Sequence, residues 1–375
     1  LDVSGFDTSN VTHMNDMFYA CSALTSLDVS GFDTSSNLRF DSMFEACTGI
    51  TSLDVSGFDT SNATHTNSMF RSCYSLTSLD VSGFDTSSCL YTSLMFYGCY
   101  VLPSVDVSGF DTSNVTQMNQ MFFRCYALTS LDVSGFDTSN VTQMHQMFYA
   151  CYALTSIDVS GFDTSSNLRL DGMFQACTSI TSLDVSGFDT SNVTHMNDMF
   201  HSCSALTSLD VSGFNTSNVL YFNNMFKSAT GLTSLDVTNF NTSNALEMKS
   251  MFERCYALSS VDVTNFDTSN VTSMYFMFYY LGHNTSSITD VPGVENFNIE
   301  ALNVSNALEH FLSGTSIPTA RYDALLINWD AQDPLDNMNP VRFGSSTYTA
   351  GGTAAAARAN LISTDGWTIT DGGTA

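Results

Sequence analysis

Residues Leu131 to Ser156 read Leu-Asp-Val-Ser-Gly-Phe-Asp-Thr-Ser-Asn-Val-Thr-Gln-Met-His-Gln-Met-Phe-Tyr-Ala-Cys-Tyr-Ala-Leu-Thr-Ser. Leu131, Val133 and Phe136 are apolar, with polar Asp132 and Ser134 between the first two. That alternation predicts a short strand with one buried face. Gly135 follows, and Asn stands in its place at 239 and 265. Gly and Asn tolerate positive φ best, so a left-handed turn is expected there. Asp137, Thr138, Ser139 and Asn140 supply turn and helix-start chemistry. Val141, Met144, Met147, Phe148 and Cys151 then recur at three- and four-residue spacing, which predicts one face of a short helix, partly 3₁₀. Leu154 leads into the next strand. About nine apolar side chains of this unit point inward, each contributing roughly 1.5–3 kcal/mol on full burial. The Met and Phe stripe reads as core rather than as a cofactor box.

The unit repeats. Its opening segment begins at Leu1, Leu27, Leu53 and Leu79, and variants begin at Val105, Leu131, Ile157, Leu183, Leu209, Leu235 and Val261. Every step is 26 residues, giving eleven units over residues 1–286 without an insertion. A strict period of this size means stacked rungs, each touching its neighbours. The expected fold is a leucine-rich-repeat-like solenoid with one short parallel strand and one short helix or 3₁₀ turn per rung. After Leu281 the register breaks. Val294, Phe297, Leu302, Val304, Leu308 and Phe311 read as a degenerate rung over 287–320, punctuated by Pro292 and Pro318. Residues 321–375 abandon the period and read as a C-terminal α/β cap. Ala324–Trp329 and Ala354–Ile362 suggest helices there, and Trp367–Thr370 a final strand. The chain starts on Leu1 inside a unit with no cap before it, which reads as a trimmed piece of something longer.

Composition narrows the function. The chain has 375 residues, with 37 Asp and Glu against 10 Lys and Arg, and a net charge of −27. A hydrophobic fraction of 43% and an aromatic fraction of 12% argue against disorder despite that charge. The acidic excess argues against nucleic-acid binding, since phosphate contacts need cations. No run of eighteen apolar residues marks a membrane span.

The motif Met147-Phe148-x-x-Cys151-x-x-Leu154-x-x-Ile157-Asp158-Val159-Ser160-x-Phe162-Asp163-Thr164-Ser165 resembles the BspA-type leucine-rich-repeat surface proteins. The likeness is to their 26-residue branch, common in mycoplasma, Gram-positive and Bacteroidetes surface proteins, and it covers 1–286. It implies an extracellular, non-enzymatic role in adhesion or partner binding, with no catalytic residues to carry over.

Stacking turns sequence columns into physical ladders with a step of roughly 4.8 Å on the strand side. Asp2, Asp28, Asp54 and their equivalents to Asp262 form one such row, opposite the core. A row of Ca²⁺ sites is one reading of it, and a solvated acidic face is the other. Two such charges in water repel by roughly 0.8 kcal/mol, less than the burial of one Phe, so no metal is obligatory. A second row holds Asp7, Asp33 and equivalents, with Asn215 and Asn241 in register. That exchange points to an Asx-turn oxygen rather than to a charge. Cys21, Cys47, Cys73, Cys99, Cys125, Cys151, Cys177, Cys203 and Cys255 form a third row. Parallel side chains fit disulfide geometry poorly, and nothing like a paired C-x-x-C is present for zinc, so buried free thiols are expected. The Asn-Val-Thr pattern recurs because the rung recurs and carries no functional weight.

Variation among rungs concentrates on the outward helix-side face. One column reads Tyr19, Glu45, Arg71, Tyr97, Phe123, Tyr149, Gln175, His201, Lys227, Glu253 and Tyr279. Another reads Ser22, Thr48, Tyr74, Tyr100, Tyr126, Tyr152, Thr178, Ser204, Thr230 and Tyr256. Seven of the ten basic residues lie on this face: Arg39, Arg71, Arg124, Arg169, Lys227, Lys249 and Arg254. Unconstrained drift would favour Glu, Lys and Ala there, whereas Tyr and Arg anchor recognition surfaces. The candidate ligand-binding residues are therefore Arg71, Tyr74, Tyr97, Tyr100, Arg124, Tyr126, Tyr149, Tyr152 and His201. No catalytic fingerprint is present, and the His residues are dispersed, so an enzyme is not expected. The expected function is a secreted or surface-displayed adhesion protein whose partner is a host or neighbouring-cell protein or a surface glycan. The alternative is a spacer or fibre of a cell surface or a phage tail, at a virion surface in the latter case. End-to-end self-association through open rung edges is a further expectation.

Overall fold

A computed structural model describes residues 1–284, 289–332, 334, 336, 338 and 340–375. The chain packs as two compact units, Leu1–Asp189 and Thr190–Ala375. The expected boundary between residues 286 and 287 falls outside the described residues.

Within the first unit, rungs stack with all nine expected core residues of the Leu131 rung buried, from Leu131 at 8% exposed to Leu154 at 0%. Phe18, Phe44, Phe70, Phe96, Phe122, Phe148 and Phe174 stack in one column with ring centroids 5.5–5.9 Å apart. Thr8, Thr34, Thr60 and their equivalents form a second buried column. The Thr34 hydroxyl donates to the carbonyl of Asp59 (3.1 Å) and accepts that residue's N–H (2.8 Å), taking the place of a main-chain rung. From sequence alone these threonines are expected only to serve turn chemistry.

The expected helix is absent. Among the described residues the first helical element is the 3₁₀ turn at Val294–Asn296. In its place lies an arc of tight turns in which alternate N–H groups face different ways. Gln146, Phe148 and Ala150 donate to Asp171, Met173 and Gln175 of the next rung (2.9, 3.0 and 2.7 Å), while Tyr149 and Cys151 close local turns on Gln146 and Phe148. This works because the sixteenth and twentieth residues of each rung are left-handed, at φ 55° for Gln146 and φ 57° for Ala150. A left-handed residue every fourth position prevents the i→i−4 ladder of a helix. It still turns the same apolar side chains inward, which is why the spacing mimics an amphipathic helix.

Two further expectations are corrected. Gly135 is not among the positive-φ residues; the left-handed positions are those just named. The glycine position borders the preceding rung's carbonyl instead, and where Asn replaces it, Asn239 and Asn265 donate to Ser212 and Thr238 (2.6 and 2.7 Å). Regular strand is also sparse. β1 (Ser52–Leu53) pairs in parallel with β2 (Ser78–Leu79), and most remaining pairing is by single parallel bridges such as His13↔Arg39 and Gln117↔Gln143.

In the second unit Phe200, Phe226, Phe252 and Phe278 stack at 5.7–5.8 Å. The turn-arc ladder carries on past Leu281, with Met274, Phe276, Phe278 and Tyr280 donating to Ala307, Glu309, Phe311 and Ser313. Val294, Phe297, Leu302, Leu308 and Phe311 are buried, whereas Val304 is 45% exposed and leaves the expected core set. Helix α1 (Thr319–Asp330) and helix α2 (Thr353–Ser363) follow, and β3 (Val341–Arg342) pairs in parallel with β4 (Ile369–Thr370). Trp329 of α1 is fully buried, 5.6 Å from Phe311, 5.7 Å from Phe343 and 6.2 Å from Trp367 between ring centroids.

Candidate functional site

The turn arc sets the outward side chains in register, so a column of like residues becomes a row of touching ones. Over the third to sixth rungs two aromatic rows form. Tyr74, Tyr100, Tyr126 and Tyr152 stack with centroids 4.5, 4.8 and 4.9 Å apart and planes within 13°. Tyr97, Phe123 and Tyr149 stack at 4.5 and 4.3 Å, within 9°. Such offset stacks add to the area buried. Their interior ring faces are covered by the neighbouring rings. What remains for a partner is the ring edges and hydroxyls, together with the outer faces of the end members Tyr74 (37% exposed) and Tyr152 (43%).

Between the rows runs the column of left-handed residues, Ser72, Gly98, Arg124 and Ala150. Gly98 is the member of this column without a side chain. A Cβ there would sit 3.3 Å from Cε1 of Tyr74 and 3.5 Å from Cε1 of Tyr100, on a backbone with φ 73°. The Arg124 guanidinium lies 5.2 Å from the centre of the Phe123 ring. Burial, then the neighbouring Tyr74 phenol, raises the Tyr100 pKa, and burial raises that of Tyr126, so both stay protonated donors. Arg71 sits at one end, ion-paired with Glu45 (2.8 Å) and 5.2 Å from the Tyr97 ring centre.

Eight of the nine sequence-predicted residues thus come together in the first unit: Arg71, Tyr74, Tyr97, Tyr100, Arg124, Tyr126, Tyr149 and Tyr152. His201 does not join them. It lies in the second unit, with Nδ1 2.9 Å from Asp198. Phe123, Gly98 and Glu45 complete the surface and were not singled out. Phe123 stands in the same column as Tyr97 and Tyr149, and Glu45 stands one rung before Arg71, so the ladder rule itself carried both signals.

The opposite face holds the acidic row. The Asp residues of this row accept the N–H of the Ser or Thr two residues on, and most accept its hydroxyl as well, as Asp132 does from Ser134 (3.1 and 2.7 Å). The Asp7 row makes the same Asx turn, and Asn215 reproduces it with Ser217 (3.1 and 2.7 Å), as the Asp/Asn exchange implied. Clefts of about 490 Å³ in the first unit and about 650 Å³ in the second run along this side, lined by Ser, Thr, Leu or Val and Asp of adjacent rungs. All ten cysteines are free thiols. The Cys47 Sγ donates to the Phe18 carbonyl, and burial pushes its pKa up to about 11. Among the described residues no helix is long and apolar enough to cross a membrane.

Comparison with known proteins bears on the repeat. The family model described as "Mycoplasma protein of unknown function, DUF285" matches residues 1–105, 76–182 and 168–291 in tandem. No curated protein matches the chain. Among solved structures, the TLR13–ssRNA13 complex is similar at 15% identity and a TM-score of 0.29, covering 96% of this chain and 56% of that one. The chain therefore spans little more than half the length of that relative. The functional domain of InlJ from Listeria monocytogenes, which includes a cysteine ladder, is similar at 16% identity and a TM-score of 0.18, covering 88% of this chain and 69% of that one.

Proposed function

The chain belongs to the DUF285 family, and from that premise we propose that it is a non-enzymatic, surface-exposed recognition protein. Its partner, a protein or a glycan, docks on the two aromatic rows of the third to sixth rungs. One observation carries this reading: seven aromatic rings on consecutive rungs stack into two rows that leave their edges and hydroxyls outward. Exposed aromatics held rigid offer contact area at little entropic cost. The binding residues are Arg71, Tyr74, Tyr97, Tyr100, Arg124, Tyr126, Tyr149 and Tyr152. A BspA-type kinship and a place at the cell surface belong to this proposal.

The proposal needs no cofactor. The outward Asp carboxylates are each held by Ser or Thr donors on Oδ1, so the row is already satisfied without a cation. The organisation goes with it: rungs over 1–286, a degenerate rung over 287–320, and a cap over 321–375. Buried Trp329 and Tyr322, packed beside Phe311 and Phe343, support the capping role.

The test is a pull-down and glycan-array comparison of the native chain with the triple variant Tyr126→Ser, Tyr149→Ser and Tyr152→Ser, its fold checked by melting. Loss of binding with the fold intact is the expected result. Unchanged binding by the folded variant sinks the reading and favours a spacer, as would full function after deletion of whole rungs.

A further inference from the structure

The basic residues of the variable face are almost all neutralised within the chain. Arg39 pairs with Asp41, Arg71 with Glu45 and Arg169 with Asp171, each at 2.8 Å. Lys227 pairs with Glu253 at 2.9 Å, Lys249 with Glu247 at 3.2 Å, and Arg254 with Glu253 at 3.7 Å. Arg124 is the exception, having no carboxylate partner among the described residues. In a chain of net charge −27 it is an uncompensated cation. It occupies a left-handed position (φ 59°) whose neighbours along the ladder are Gly98 and Ala150, so it is the one long side chain in that column between the rows. Its guanidinium lies 5.2 Å from the centre of the Phe123 ring, which is stacked between the Tyr97 and Tyr149 rings, and Tyr126 of the same rung stacks on Tyr100 in the other row.

We infer that Arg124 and the phenol hydroxyls around it form a subsite for the carboxylate of an acidic sugar, within a linear polysaccharide lying along the two rows. This rests on the recognition reading above and names its ligand class. A planar guanidinium binds a carboxylate in two-point fashion, and phenols exchange hydrogen bonds with sugar hydroxyls. Row spacing favours a sugar chain over a peptide. The rings repeat every 4.3–4.9 Å, close to the length of one sugar ring. Same-face side chains of an extended peptide recur only every roughly 6.6 Å, which would drift out of register within two rungs. With the interior ring faces covered, the sugars meet ring edges and hydroxyls along the row and stack only on Tyr74 and Tyr152 at its ends.

The experiment is titration calorimetry of the full chain against four probes: the hexasaccharides of galacturonic acid and of hyaluronan, the fully methyl-esterified galacturonate hexasaccharide, and a hexa-glutamate peptide. At least one acidic hexasaccharide is expected to bind. Arg124→Gln should weaken it about tenfold or more, as expected for loss of a charge-assisted pair. Arg39→Gln should leave it unchanged. If galacturonate is the sugar bound, the ester should bind about tenfold or more weakly than the acid, a comparison on the native chain that stands even if Arg124→Gln fails to fold. Binding by neither acidic hexasaccharide, equal binding of acid and ester, or tighter binding of the peptide overturns the assignment. Equal binding of acid and ester that is lost in Tyr126→Ser would leave the recognition surface standing and remove only the role given to Arg124.

Discussion

The threonine eighth in each rung shows how one side chain supports a stack. Thr34 is 2% exposed, and its hydroxyl stands between the carbonyl and the N–H of Asp59. That main-chain pair would otherwise lose its partner, and the hydroxyl-to-carbonyl half of the arrangement recurs at Thr60, Thr86 and Thr112. Thr34→Val keeps the shape and removes the hydroxyl, leaving one donor and one acceptor without a partner. We expect a loss of about 1–3 kcal/mol, read from urea denaturation of the variant against the native chain; a loss below a few tenths would show that the hydroxyl is dispensable. This role was only half legible beforehand, because recurrence of Thr at 8, 34 and 60 is plain in the sequence but its partner lies one rung away.

Among the local elements, the turn arc shares the apolar spacing of a helix without being one. Its left-handed positions hold Asp16, Ala20, Leu94, Gln120 and Arg124 as well as glycines. For a residue with a Cβ this conformation costs roughly 1–2 kcal/mol, and it persists because inter-rung bonds determine it, as the Ala46 N–H to the Arg71 carbonyl does at 2.7 Å. Ala46, at φ 60°, allows a signed test. Ala46→Gly should stabilise by up to about 1 kcal/mol, the relief of strain exceeding the extra chain entropy of glycine. Ala46→Val should destabilise by roughly 1–2 kcal/mol, since a branched Cβ fits that region worst. Denaturation midpoints that move the same way for both variants, or that move with helix propensity, would contradict the turn arc. The C-terminal helices were legible, since α1 and α2 bracket the expected Ala324–Trp329 and Ala354–Ile362. Strand β3 had no signal, because two residues gain their pairing only when β4 lies beside them.

For the whole molecule, charge and pH set the balance. The outward Asp residues, Asp54 and Asp132 among them, have pKa values lowered chiefly by the Ser hydroxyl and then by its N–H, while desolvation and, at Asp54, the Asp80 and Asp28 carboxylates push the other way. A folded pKa below the unfolded one adds stability that is present above about pH 4 and is lost as the pH falls through the folded value. Mutual repulsion in a chain of charge −27 acts in the opposite sense, since protonation relieves it. We expect the hydrogen bonds to win, so that the melting temperature falls between pH 5 and pH 2; a rise over that interval would show that repulsion dominates. The 26-residue step by itself determined that like residues form rows, which apolar side chains are buried, and that the tyrosines at 74, 100, 126 and 152 are neighbours. Period and hydrophobicity decide these, and both are written along the chain. Only the tertiary structure decided whether each N–H finds its acceptor within its own turn or in the next rung, which ring faces remain uncovered, and which arginine of the variable face lacks a carboxylate among the described residues. Those outcomes depend on partners 25 or 26 residues away in sequence and a few ångströms away in space.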